Sequence, residues 1–84
     1  MKFPNKYQRL AAYVARAFKV EKASLFISTR GTPNEAHARQ TFMFLLHKRG
    51  ENYSAIGRYL DRDRKTASHG VKRGKVYAAL NRLA

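Results

Sequence analysis

Cysteine is absent, carboxylates are scarce and no long apolar run occurs, and each shortage excludes a class of protein. Without cysteine there is no disulfide framework and no thiolate metal site, and nothing calls for an oxidising compartment. His37, His47 and His69 share no zinc-ligand spacing. Only 5 Asp and Glu are present, and two of them, Asp61 and Asp63, lie among arginines with no third carboxylate at ligand spacing, which disfavours a divalent-metal nuclease. No serine or histidine constellation suggests nucleophilic catalysis, and no Walker A glycine-lysine pattern offers a nucleotide site. The expectation is no enzyme, no metal and no cofactor. No apolar run approaches the roughly 20 residues that span a bilayer, and residues 1–5 lead into a charged segment rather than an apolar leader. A soluble, cytoplasmic, nucleoid-associated protein is expected.

What the chain has in excess is positive charge. Eighteen Lys and Arg against five acids give +13, a balance that attracts polyanions and makes nucleic acid the leading partner. The charges are spread over every segment, unlike a membrane-active helix with one basic face. Aliphatic and aromatic residues make up 44% of the chain, enough for a packed domain and too many for a disordered basic tail. At 84 residues, residues 1–84 form one domain, with no room for a separate catalytic lobe.

In chain order the pattern is helical throughout. Residues 6–19 put Tyr7, Leu10, Ala11, Val14, Ala15 and Phe18 on one face at spacings of three and four. Residues 21–27 suit a short second helix carrying Leu25 and Phe26, and residues 28–33 read as a loop. Asn34 is a candidate cap for a third helix over 35–49, whose middle, Phe42 to Leu46, is apolar all round and so marks the buried centre of a small bundle. Gly50 ends it, and Asn52 can cap a short helix over 53–60. From Arg64 a last helix carries Ala67, Gly70, Val71 and Gly74 along one stripe. Its glycines, each costing about 1 kcal/mol against Ala, predict a bend or break near Gly74, followed by an amphipathic turn with Val76, Tyr77, Leu80 and Leu83. The fold class is all-α, a small helical bundle of five to six helices.

The stretch from Ile56 to His69 is the most specific. Ile56, Tyr59 and Leu60 share one side of a short helix, and Asp63, an N-cap residue, restarts a second helix after a polar turn. This is helix-turn-helix grammar, and in such motifs the first turn of the second helix, here Arg64, Lys65 and Thr66, meets base edges in the major groove. Most of the Tyr and Phe residues fall on inward faces, which argues against a stacking platform for single strands.

Ile56-Gly57 followed by Arg62-Asp63-Arg64-Lys65-Thr66-Ala67-Ser68-His69 resembles the signature of the C-terminal DNA-binding domain of the bacterial replication initiator DnaA, a Trp-repressor-like helix-turn-helix. That family reads Arg-Asp-His-Thr-Thr-Val-Leu-His after an Ile-Gly helix, and Arg62, Asp63, Thr66 and His69 match. Arg39-Gln40 is similar to the Arg-Gln pair that opens the family's central helix, and the likeness covers roughly residues 10–74. The resemblance implies base reading by Arg64, Lys65 and Thr66, with Asp63 accepting from cytosine or capping the helix. It implies backbone contacts from Arg39, Gln40 and His69. Arg62, Tyr53, Ser54, Lys48, Lys72 and Arg73 are added as phosphate-contact candidates, and Arg30 is the only candidate for the adjacent minor groove. Two departures stand out. Arg64-Lys65 replaces the family's His-Thr, and both prefer guanine O6 and N7, so a different DNA site is expected. The basic loop is reduced to Arg30-Gly31-Thr32-Pro33.

Two functions follow from these residues. The first is sequence-specific binding of double-stranded DNA, as a transcription regulator or a replication-origin box binder, by a monomer or weak dimer, with any polymerase or initiator partner unidentified. The second is charge-driven, weakly selective DNA or RNA binding.

Overall fold

The structure is a computed structural model and describes residues 5–26 and 31–83. A 3-10 turn, Asn5–Tyr7, runs into α1 (Gln8–Phe18); a second 3-10 turn, Lys22–Phe26, precedes α2 (Pro33–Lys48), α3 (Tyr53–Tyr59) and α4 (Arg64–Leu80). Among the described residues there is no strand, so the all-α class holds while the expected five to six helices become four α-helices. The difference has two sources. The segment expected over 21–27 is a single 3-10 turn, and α4 does not break.

Helix α1 buries Leu10, Ala11, Val14, Ala15 and Phe18, the stripe expected from spacing. Lys19 ends it in the left-handed region at φ 56°, and the Val20 amide reaches back to the Ala15 carbonyl at 3.0 Å, a glycine-type C-terminus made by a lysine. Helix α2 starts earlier than Asn34. Thr32 is its cap: the Glu35 amide donates to the Thr32 hydroxyl oxygen at 3.1 Å and the Thr32 amide donates to the Glu35 carboxylate at 2.8 Å, with Pro33 at the first helical position. A reciprocal capping box with a pre-set proline outcompetes a lone Asn two residues later. The Thr32 amide, followed by the Ser24 hydroxyl, holds the Glu35 carboxyl below its ordinary value. The Asn34 side-chain Nδ2 instead donates to the Phe18 carbonyl, tying the start of α2 to the end of α1.

As its all-round apolarity predicts, α2 is the central helix, with Ala38, Thr41, Phe42, Met43, Leu45 and Leu46 buried. It packs against α4 in the opposite sense, His37 meeting Tyr77, Gln40 meeting Gly74 and Met43 meeting Gly70. A Cβ on Gly74 would strike the Gln40 carbonyl oxygen and come within 2.9 Å of the Phe44 Cβ; one on Gly70 would strike the Met43 sulfur. The helix therefore needs these glycines for a close crossing, and that packing keeps α4 continuous where intrinsic propensity alone predicts a break. Beyond the crossing, Tyr77 stacks on His37 with ring centroids 4.0 Å apart, and Leu83 packs against the core. Val76 and Leu80 do not join them, at 57% and 74% exposed.

The N-terminal turn is fastened to the α2–α3 connection by one carboxylate. Tyr7 donates its hydroxyl to Glu51, Tyr59 does so at 3.2 Å to the other carboxylate oxygen, and the two rings lie 6.2 Å apart. Burial, reinforced by Glu51, pushes the Tyr7 hydroxyl from 10.0 to about 12, and Tyr59 shifts in the same direction. A folded pKa above the unfolded one stabilises the fold fully below about pH 10, and that contribution is lost as pH rises toward the folded value. Thermal melts from pH 9 to 12 should show stability falling over about pH 10–12 as Tyr7 ionises. Tyr7→Phe should flatten the fall.

Candidate nucleic-acid interface

Helices α3 and α4 meet across residues 60–63. The Asn52 side chain caps α3 by accepting from the Ala55 amide at 2.8 Å, and the Asp63 side chain caps α4 by accepting from the Thr66 amide at 2.8 Å. Both caps are as expected. The Thr66 hydroxyl, then its amide, hold the Asp63 carboxyl below its ordinary value, so Asp63 stays an acceptor committed to its own helix. Between the helices the chain folds back on Gly57. The Arg62 amide donates to the Gly57 carbonyl at 2.7 Å, and a Cβ at Gly57 would lie 2.5 Å from the Arg62 carbonyl oxygen and 3.2 Å from that of Asp63. Only a residue without a side chain admits this approach. Ile56 and Leu60 are buried beneath the turn, which fixes the angle at which α4 leaves it.

Helix α4 buries Ala67, Gly70, Val71, Gly74 and Ala78, all on one side. At 100° per residue the opposite side carries Lys65, His69 and Lys72, all exposed. Two clefts flank this crest. One, toward α3, is lined by Tyr53, Arg64, Lys65 and Ser68; the other, toward α2, by Gln40, Lys65, Thr66, His69 and Gly70. Lys65 stands in both. The Gln40 Oε1 atom is buried without a hydrogen-bond partner among the described residues, beside the second cleft.

The other expected backbone contacts differ in exposure and in what they already bind. Ser54 and Arg73 are exposed, and Lys48 is exposed on the last turn of α2 with its Nζ 5.9 Å from the Phe44 ring centroid. Arg62 is half-buried and donates to the Leu60 and Asp61 carbonyls at 3.1 and 3.3 Å, so it braces the turn. Arg39, expected to contact the DNA backbone, is only 5% exposed, and its Nη2 donates to the Ser24 carbonyl at 3.2 Å. Burial first, and then the charge of Arg62, hold its pKa below the usual value. In this position Arg39 ties α2 to the 3-10 turn before the basic loop. Arg30 lies outside the described residues.

One contributor is not legible as a motif. His47 stacks on Tyr53 with centroids 4.8 Å apart and planes 18° from parallel, and its Nδ1 lies 3.0 Å from the Glu51 carbonyl oxygen. The signal available in the sequence was the short Gly50 connection, which brings the last turn of α2 beside the first turn of α3.

A short helix and a long one joined by a glycine-dependent polar turn, with the second helix capped and basic on its free side, make a helix-turn-helix. The chain belongs to the family described as "Bacterial dnaA protein helix-turn-helix", whose model matches it over residues 7–73. No curated protein and no solved structure matches the chain. Among the described residues no helix is long and apolar enough to cross a membrane, and no group of three or more His, Asp or Glu could hold a metal ion.

Proposed function

We propose that this domain binds double-stranded DNA at a preferred sequence, as a transcription regulator or a replication-origin box binder. The observation that carries the reading is Lys65, which stands on the exposed crest of a capped α4 between two clefts. A recognition helix entering the major groove leads with such a residue, and lysine there favours guanine O6 and N7. Thr66 and His69 lie beside it along the same helix. Gln40, Lys48, Tyr53, Ser54, Lys72 and Arg73 supply phosphate contacts, which orient the domain without carrying sequence information. Arg39 and Arg62 act from behind, Arg39 holding the 3-10 turn at Ser24 and Arg62 the turn between α3 and α4.

Affinity measured on one duplex between 50 and 200 mM salt tests the mechanism. With about six phosphates neutralised, log affinity falls against log salt with a slope near −5. A slope flatter than about −2 counts against it, since that many counterions would not be released. Charge-driven binding alone gives the same steepness on every duplex. Sequence reading instead leaves a preferred duplex ahead of a scrambled one of equal length at each salt concentration.

A further inference from the structure

We propose that Arg64, counted by sequence among the base readers, instead forms with Tyr53 and Ser68 a seat for one backbone phosphate of the bound duplex, and that His47 is a positioning residue for this seat. The proposal rests on the DNA-binding reading above and divides the work within it.

The division follows from the direction each side chain takes. Arg64 and Ser68 are four residues apart and leave α4 on nearly the same bearing, as do Lys65 and His69, but the two pairs are separated by about 100° around the helix axis. The Lys65 and His69 bearing is opposite the buried stripe, the one that faces a groove floor. The Arg64 and Ser68 bearing runs along the α3 side, into the cleft that Tyr53 also lines. That cleft is lined by Tyr53, Arg64, Lys65 and Ser68. Each carries a side-chain donor, two are cations and none is a carboxylate, so the chemistry it accommodates is an anion with several acceptor oxygens. A guanidinium with neighbouring hydroxyls matches the geometry of a phosphodiester, and its planar fork gives two parallel bonds to it.

Tyr53 contributes only if its ring is held in place along the cleft it lines. His47 stacks against it at 4.8 Å. The Glu51 carbonyl, 3.0 Å from His47 Nδ1, accepts a hydrogen bond that requires the proton on Nδ1 and fixes the plane of the imidazole. The Glu51 side chain is engaged with Tyr7 and Tyr59, so the backbone carrying this carbonyl is anchored to the core. Stiffness is thus passed from the core through Glu51 and His47 to Tyr53.

The experiment uses the full chain and duplexes in which single phosphates are replaced, one linkage at a time, by neutral methylphosphonate. One linkage should cost the unsubstituted protein about tenfold and cost Arg64→Ala nothing further, as expected when one charge-assisted contact is removed from either side. Arg64→Ala should weaken preferred and scrambled duplexes by the same factor, reduce the salt slope by about one, and leave base preference unchanged. His47→Ala should weaken binding at that same linkage, while His47→Phe, which keeps the stack but loses the bond to the Glu51 carbonyl, should weaken it less. If Arg64→Ala changes the preferred base at one position, Arg64 is a reader and the seat is refuted. If His47→Ala leaves binding at that linkage unchanged, or weakens every linkage equally, the positioning role is refuted. Should the unsubstituted protein show no sequence preference, the functional reading fails while the methylphosphonate scan still decides the seat.

Discussion

Gly74→Ala lowers the melting temperature by roughly 10 °C or more, the opposite of what helix propensity alone requires. Replacing an interior helical glycine by alanine ordinarily gains about 1 kcal/mol. At this position the added methyl meets the backbone carbonyl oxygen of Gln40 and the Cβ of Phe44 at 2.9 Å, both on the central helix. A carbonyl locked in a helix cannot rotate away, so α2 and α4 must separate along their whole contact. Overpacking of this kind costs about 1–3 kcal/mol and sometimes more, and the rigid neighbour puts it at the high end. For a domain of this size each net kcal/mol moves the midpoint by about 4–8 °C. Gly70→Ala is the control. There the methyl meets the Met43 sulfur, a flexible thioether that can swing aside, and the change stays within about 1 kcal/mol. Thermal denaturation followed by circular dichroism checks both. If Gly74→Ala is neutral or stabilising, the two helices are not in the close crossing described.

Lys65→Ala lowers affinity for the preferred duplex by about 10–100-fold and for a scrambled duplex only severalfold. The asymmetry is the point of the measurement. A lysine directed at guanine loses both a charge and a base contact on the correct site, and only a charge elsewhere. Lys72→Ala, one to two turns further along the same exposed side, should lower both affinities by the same severalfold factor, because it has phosphates and no base edge to meet. Fluorescence anisotropy at about 150 mM salt separates these outcomes, since weak long-range attraction is already screened there. Equal losses for Lys65→Ala on both duplexes would reduce this residue to generic charge.

The helix-turn-helix was readable because its instructions are local. Asn52 and Asp63 cap the helices that follow them, and Ile56 and Leu60 fall on the buried side by spacing alone. The central place of α2 was legible for the same kind of reason, a segment apolar on every side having nowhere to go but the interior. What escaped depends on contacts between segments far apart in sequence. Gly74 looks like a helix breaker until α2 is laid across it. Arg39 looks like a surface cation until the Ser24 carbonyl supplies a partner inside. Val76 and Leu80 are spaced like core residues, but on an unbroken α4 they fall on the side opposite Ala67, Gly74 and Ala78 and so face solvent. The His47–Tyr53 stack needed the geometry of a turn that composition does not encode. Thr32 is a different kind of case, since the Thr32-x-x-Glu35 box is written in the sequence and sets the helix start two residues ahead of Asn34.

The most direct test of a sequence reader built on α4 is selection of bound duplexes from a random pool at about 150 mM salt, where exposed charges are largely screened beyond contact range. Expected is a single enriched motif of roughly 6–10 base pairs containing at least one guanine, with the requirement for that guanine lost when the selection is repeated with Lys65→Ala. Binding retained without any enriched motif would contradict base reading and leave the charge of +13 as the whole of the attraction.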